Sequence, residues 1–175
     1  MRVTSEAVYY LRANSLSPML IIRTATKKDL PAIQRLHREL FLLESARFDE
    51  TVNPLWSLSR HARAWFGSQI GVHGECLLVA EVDGQVAGYL SGGLTKRLLM
   101  WKPGVYADLY SMCVSKKHRR QGLGKELMVT FFSWCEARQV TNLSVDASIA
   151  NKAAVAFYEK HGFKPLETRL LKTWK

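Results

Sequence analysis

Nothing in this chain approaches the ~20 consecutive apolar residues that a membrane-spanning helix needs. The longest apolar runs, such as 76–80, are strand-sized, so no membrane association is expected. Residues 1–18 carry Arg2, Glu6, Arg12 and Asn14 without a continuous apolar stretch. They read as a polar arm rather than a signal peptide, and the expected location is cytoplasmic. Cysteine is scarce: Cys76, Cys113 and Cys135 are dispersed in apolar surroundings. They have neither metal-ligand spacing nor a disulfide-rich pattern, so no metal is expected and the thiols read as buried and free. There are no internal repeats and no low-complexity segments. Acidic residues are outnumbered, 15 against 25 Lys and Arg, for a formal charge of +10. That balance favours anionic ligands. It is joined to no zinc finger or basic zipper, which argues against nucleic acid as the partner.

At 175 residues, 47% of them hydrophobic, the chain is long enough for one domain with a substantial core. The reading is an arm at 1–18 and a single domain at 19–175. A strand is expected at 19–25, and Thr26 with Asp29 resembles a capping box. Leu30, Ile33, Leu36 and Leu40 then form a helical stripe. Residues 41–56 read as irregular, with an Asn53-Pro54 turn, before a second helix near 58–69. Asp83-Gly84 between 77–82 and 86–92 is a hairpin signal. A loop at 96–104 leads to a strand at 107–115. Leu123, Leu127, Met128, Phe131 and Cys135 line one face of a helix. A strand at 142–147, a helix opening at Asn151 and a last strand within 164–172 complete the order. That order describes a mixed α/β fold.

The junction between the 107–115 strand and the following helix carries the most chemistry. It reads Lys116-Lys117-His118-Arg119-Arg120-Gln121-Gly122-Leu123-Gly124. A helix N-terminus presents unpaired N–H groups and a partial positive charge, and anions settle there. Glycines let the backbone approach an oxygen closely. A P-loop would need glycine at Arg119 and Ser or Thr at Glu126, and the dinucleotide fingerprint would need glycine at Leu127. What remains is Arg119-x-x-Gly122-x-Gly124. Some thirty residues on, Asn151-Lys152-Ala153-Ala154-Val155-Ala156-Phe157-Tyr158-Glu159-Lys160-His161-Gly162-Phe163 sets an Asn before a helix, a Tyr late in it and Gly-Phe at its end. Together the two motifs resemble the paired signatures of the GNAT superfamily of N-acetyltransferases. The resemblance runs from roughly residue 20 to the C-terminus and is strongest over 108–163.

The resemblance implies the GNAT acyltransferase fold, a mostly antiparallel mixed central sheet flanked by helices. It implies acetyl-CoA as acyl donor, transferred to a primary amine by direct attack in a ternary complex. The pyrophosphate would lie on the backbone of Arg119, Arg120, Gln121, Gly122, Leu123 and Gly124, with Lys125 adding charge. Pantetheine would pair with the backbone of Met112, Cys113 and Val114, and Asn151 would bond in the same neighbourhood. Tyr158, a phenol whose ordinary pKa of about 10 keeps it protonated, would protonate the leaving thiolate beside the coenzyme. Asp108, eleven positions before Arg119, would be the general base, directly or through a water, with Tyr110 on the same strand face. The acceptor region would include Glu44, Asp49 and Trp56, with Glu39, Phe48 and Glu50 nearby and Tyr110 lining the pocket. The acceptor would be a small molecule or a peptide, and homodimers are common among relatives.

Two other classes remain open from sequence. One is a non-catalytic acyl-CoA binding module, against which the presence of Asp108 and Tyr158 argues. The other is a nucleic-acid binder suggested by charge alone. Salt-dependent retention on DNA favours the second, and thiol release from acetyl-CoA excludes both.

Overall fold

The computed structural model describes residues 9–11, by backbone alone, and 19–98 and 100–174. The chain forms two compact units, Met1–Val145 and Asp146–Lys175. The first contains β1 (Tyr9–Leu11), β2 (Leu20–Thr24), α1 (Leu30–Arg47), α2 (Arg60–Gly67), β3 (Glu75–Val82), β4 (Gln85–Thr95), β5 (Tyr106–Val114), α3 (Leu123–Glu136) and β6 (Asn142–Val145). The six strands lie side by side in chain order. Every neighbouring pair is antiparallel except β5 and β6. A parallel neighbour needs a crossover, and α3 supplies it. The β3–β4 hairpin closes through Asp83 and Gly84, both left-handed at φ 49° and 78°. That backbone matches the twist of the flanking strands.

Alternation along the strands divides the core. Leu77, Val79, Tyr89 and Cys113 face α1 and α2, packing with Ala25, Leu30, Ile33, Leu36 and Phe66. The opposite face takes α3, whose Leu123, Leu127, Met128, Phe131 and Cys135 are buried. Arg23 on β2 ties the start of α1 to the sheet, pairing with Asp29 and with Glu81, each at 2.8 Å. Asp29 also accepts from the Thr26 amide at 2.7 Å and its hydroxyl at 2.9 Å, so the capping pair seen in sequence serves a 3₁₀ turn ahead of α1.

His37 on α1 is 3% exposed. Its Nδ1 lies 2.8 Å from the Ser57 hydroxyl, between the rings of Phe41 at 4.0 Å and Phe66 at 5.3 Å. Burial lowers its pKa from 6.5 to about 4. The folded chain therefore keeps His37 neutral where the unfolded chain binds a proton. Stability contributed this way is present above pH ~6.5 and lost progressively as pH falls toward ~4, by roughly 3 kcal/mol. Urea titrations at neutral and acid pH should show a shallower acid loss for a His37→Leu variant than for the native chain. Parallel losses would exclude His37 as the source.

The structure departs from the sequence reading in three places. Residues 41–47, expected to be irregular, continue α1 to Arg47. The Phe41 ring packs on His37 and stacks with Trp56 at 6.3 Å, and the following residues include strong helix formers. Within the expected arm, residues 9–11 pair with β2, Tyr9 opposite Ile22; the rest of 1–18 lies outside the described residues. The strand expected within 164–172 is absent, and Leu166 and Leu170 are exposed. Sequence alternation supplies only one side of a ladder, and among the described residues no strand pairs with this segment.

In the second unit, α4 (Lys152–Lys160) is capped by Asn151, whose side chain accepts from the Ala154 amide at 3.1 Å. Gly162 follows at φ 90°. Among the described residues no helix is long and apolar enough to cross a membrane.

Candidate active site

The basic turn after β5 is held by its own side chains. Arg119 Nε donates to the Val114 carbonyl at 3.0 Å, and Gln121 Nε2 to that of Lys117 at 3.0 Å. Ser115 and His118 are joined at 2.7 Å. Arg120 has φ 64° and Gly122 φ 90°, so the chain turns through two left-handed residues before α3 begins at Leu123. No side chain caps that helix, which leaves its first amides open to an anion. Arg119, Arg120, Gln121, Gly122 and Lys125 are exposed, and a Cβ built on Gly122 would meet nothing within 4 Å.

The strand before the turn is paired unequally. Its whole length pairs with β4, whereas β6 pairs only with Tyr106 to Leu109. Among the described residues, no strand pairs with the β6-side edge of residues 110–114, which include Met112, Cys113 and Val114. That edge carries backbone groups of the kind an extended ligand pairs with, the Val114 carbonyl being engaged by Arg119. Cys113 itself points into the core at 5% exposure, and burial raises its thiol to about 11. It is a neutral packing side chain, poorly suited to nucleophilic work.

At the other end of β5, register sets Glu75, Gly93, Asp108 and Ser144 in a row across four strands. Asp108 is not a free carboxylate. Its Oδ1 accepts from Arg97 Nη2 at 2.8 Å and, in a short hydrogen bond, from the Ser144 hydroxyl. Arg97 also donates to Ser144 at 2.9 Å. Tyr110 sits at a bulge, where the β4–β5 register shifts between Ser91 and Gly92. Burial, and then the negative charge of Glu75 and Asp108, raises its pKa. A line of rings runs from Tyr110 to Trp65 at 6.0 Å and on to Trp56 at 6.1 Å.

Trp56 and Tyr110, named from sequence, are thus linked through Trp65, which was not. Glu75, Gly93, Arg97 and Ser144 were also missed, because the row exists only once strand register is known. Glu75 does open β3 directly after Gly74, the one local sign available. The acids named from sequence lie on α1 and just beyond it. Glu44, half-buried on α1, has its pKa raised by burial and by Asp49. Glu39 and Glu44 act electrostatically on Cys113. Asp49 and Glu50 are exposed beyond α1, and Asp49 accepts from the Thr51 amide and hydroxyl at 2.9 and 2.6 Å. In the second unit, Tyr158 meets the rings of Phe157 at 5.5 Å and Phe163 at 5.6 Å.

The model of the acetyltransferase (GNAT) family matches residues 31–163. Mouse N-acetyltransferase 8F1 is 31% identical over 97 residues, 55% of this chain and 43% of that protein. This chain thus matches less than half the length of that curated mouse relative. An uncharacterized N-acetyltransferase of Methanocaldococcus jannaschii is 25% identical over 146 residues, 83% of this chain and 78% of the other. Among solved structures, aminoglycoside N-acetyltransferase AAC(6')-Iy in complex with CoA superposes with a TM-score of 0.70, at 15% identity, over 93% of this chain and 99% of that one. At that identity the likeness speaks for the fold. With the family's model spanning both glycine-bearing motifs and strands β3 to β6, the chain belongs to the GNAT family of acetyltransferases.

Proposed function

We propose that this chain is a cytoplasmic, acetyl-CoA-dependent N-acetyltransferase that acts on a primary amine of a small molecule or peptide. The observation that carries the reading is the uncapped start of α3 behind Gly122, beside the one-sided edge of β5. A pyrophosphate suits the first and an amide-bearing arm suits the second. The coenzyme supplies an activated acetyl thioester. Residues 119–125 hold its phosphates, Met112, Cys113 and Val114 its arm through the backbone, and Asn151 assists near the start of α4. Tyr158 donates a proton to the departing sulfur.

Direct transfer in a ternary complex agrees with a neutral Cys113, since the strand offers no activated thiol for an acyl-enzyme. Asp108 lies on the acceptor side as half of an ion pair with Arg97. Its Oδ1 already accepts from Arg97 and from the Ser144 hydroxyl. Engaged in this way, Asp108 acts through a water rather than by direct contact with the acceptor. The acting domain is residues 19–175, with 1–18 as an arm that lends residues 9–11 to the sheet. Glu44, Asp49, Trp56 and Tyr110 flank the acceptor's route.

The test is thiol release from acetyl-CoA with tryptamine, spermidine, kanamycin and a peptide bearing a free N-terminal alanine, with products weighed by mass spectrometry. The reading expects an acetylated product from at least one. Coenzyme binding without any product would make the chain a binding module instead.

A further inference from the structure

Two buried polar atoms on the α1/α2 face of the sheet have no hydrogen-bond partner among the described residues: Glu75 Oε2 and Gln69 Nε2. Such atoms are costly and uncommon in a folded protein, and each asks for an explanation. Gln69 is 4% exposed, and its Oε1 accepts from the Ser91 hydroxyl at 2.7 Å, leaving the amide N–H groups unused. Ser91 and Gly93 lie two residues apart on β4, hence on the same face.

Gly93 explains how Glu75 comes to be placed. A Cβ on Gly93 would sit 2.7 Å from Glu75 Oε2 and 2.7 Å from the Tyr110 hydroxyl. The Glu75 oxygen and the Tyr110 hydroxyl therefore share the space that a side chain at Gly93 would take. Tyr110 is 39% exposed, and Glu75 is only part buried, so the carboxyl stands at the boundary between core and solvent. Burial raises its pKa. Beside it, Asp108 is already engaged by Arg97 and Ser144. Of the two carboxyl groups in the row, Glu75 is the one with unfilled acceptor capacity.

Resting on the acyltransfer reading above, we infer that Glu75 is a catalytic residue whose carboxylate, at its solvent side beside Tyr110, receives the acceptor's ammonium group and takes its proton. The Tyr110 and Trp65 rings flank that position and suit a cation carried on a flat or apolar body. The proton moves from nitrogen to the Glu75 carboxylate, which becomes the neutral acid. The freed lone pair forms the N–C bond to the acetyl carbon, and the C–S bond breaks with its electron pair on sulfur. The sulfur takes a proton from Tyr158, the nitrogen's second proton restores the phenol through water, and Glu75 returns its proton to solvent. The acceptor class that follows is a primary amine with an aromatic or aliphatic body, of which tryptamine is the simplest probe.

The experiment compares native, Glu75→Gln, Glu75→Asp and Asp108→Asn proteins on whichever of the four amines the native protein acetylates fastest. Glu75→Gln keeps size and removes basicity, and should lose roughly 10²-fold or more in kcat. Its affinity for acetyl-CoA, measured by calorimetry, should stay native. Glu75→Asp should recover part of the loss, and Asp108→Asn should lose less than Glu75→Gln. A purely structural Glu75 would instead lower Tm in both Glu75 variants without separating their kcat values. Native protein inactive on all four amines would overturn the acyltransfer reading, and this inference with it. A turning-over native protein with Glu75→Gln within about twofold of it would overturn the role of Glu75 alone.

Discussion

A Tyr158→Phe variant should lose roughly 10²–10⁴-fold in kcat while binding acetyl-CoA nearly as well as the native chain. The exchange keeps the ring and removes only the hydroxyl. The ring's packing against Phe157 and Phe163 should survive, so the variant should fold. What goes is the proton donor for the sulfur, an interaction that matters only as the C–S bond breaks. Such a change lowers kcat and kcat/KM together and leaves ground-state binding alone. Single-turnover kinetics with saturating acetyl-CoA isolates the chemical step. A native rate there would return Tyr158 to a role in packing.

The second large effect is expected at Gly122. A Gly122→Val variant should bind acetyl-CoA about 10–100-fold more weakly, the loss of one or more hydrogen bonds to a charged group. Gly122 holds φ 90°, which a β-branched residue adopts only with strain. A Cβ there meets nothing within 4 Å, so that atom itself clashes with nothing in the fold. The cost falls on the backbone of the turn and on the space an anion would fill. Circular dichroism should show a native fold, and calorimetry the weaker binding. Unchanged affinity would move the phosphate site away from this turn.

Much of this architecture could be read from the chain because it depends on local rules. Asp83-Gly84 makes its hairpin from two adjacent residues. The stripe Leu123, Leu127, Phe131 marks the buried face of α3 by period alone, and Asn151 with Gly162 brackets α4. The basic turn ahead of α3 was legible for the same reason, since a glycine-bearing junction between strand and helix is one contiguous segment. Long-range register was not legible. Glu75 and Asp108 are 33 positions apart in sequence and meet the same glycine only because β3, β4 and β5 pair as they do. The sequence likewise gives no sign that Arg97, in the loop after β4, reaches Asp108. The end of α1 was misplaced because the ring contacts of Phe41 with His37 and Trp56 lie outside any helical period.

The central claim is that the chain carries acetyl-CoA on its 119–124 turn in order to acylate an amine. Calorimetric titration of acetyl-CoA into the native protein tests it most directly, at low and at raised salt. The account predicts saturable binding of one coenzyme per chain that weakens as salt screens the phosphates from Arg119, Arg120 and Lys125. Absence of saturable binding at low salt would contradict it.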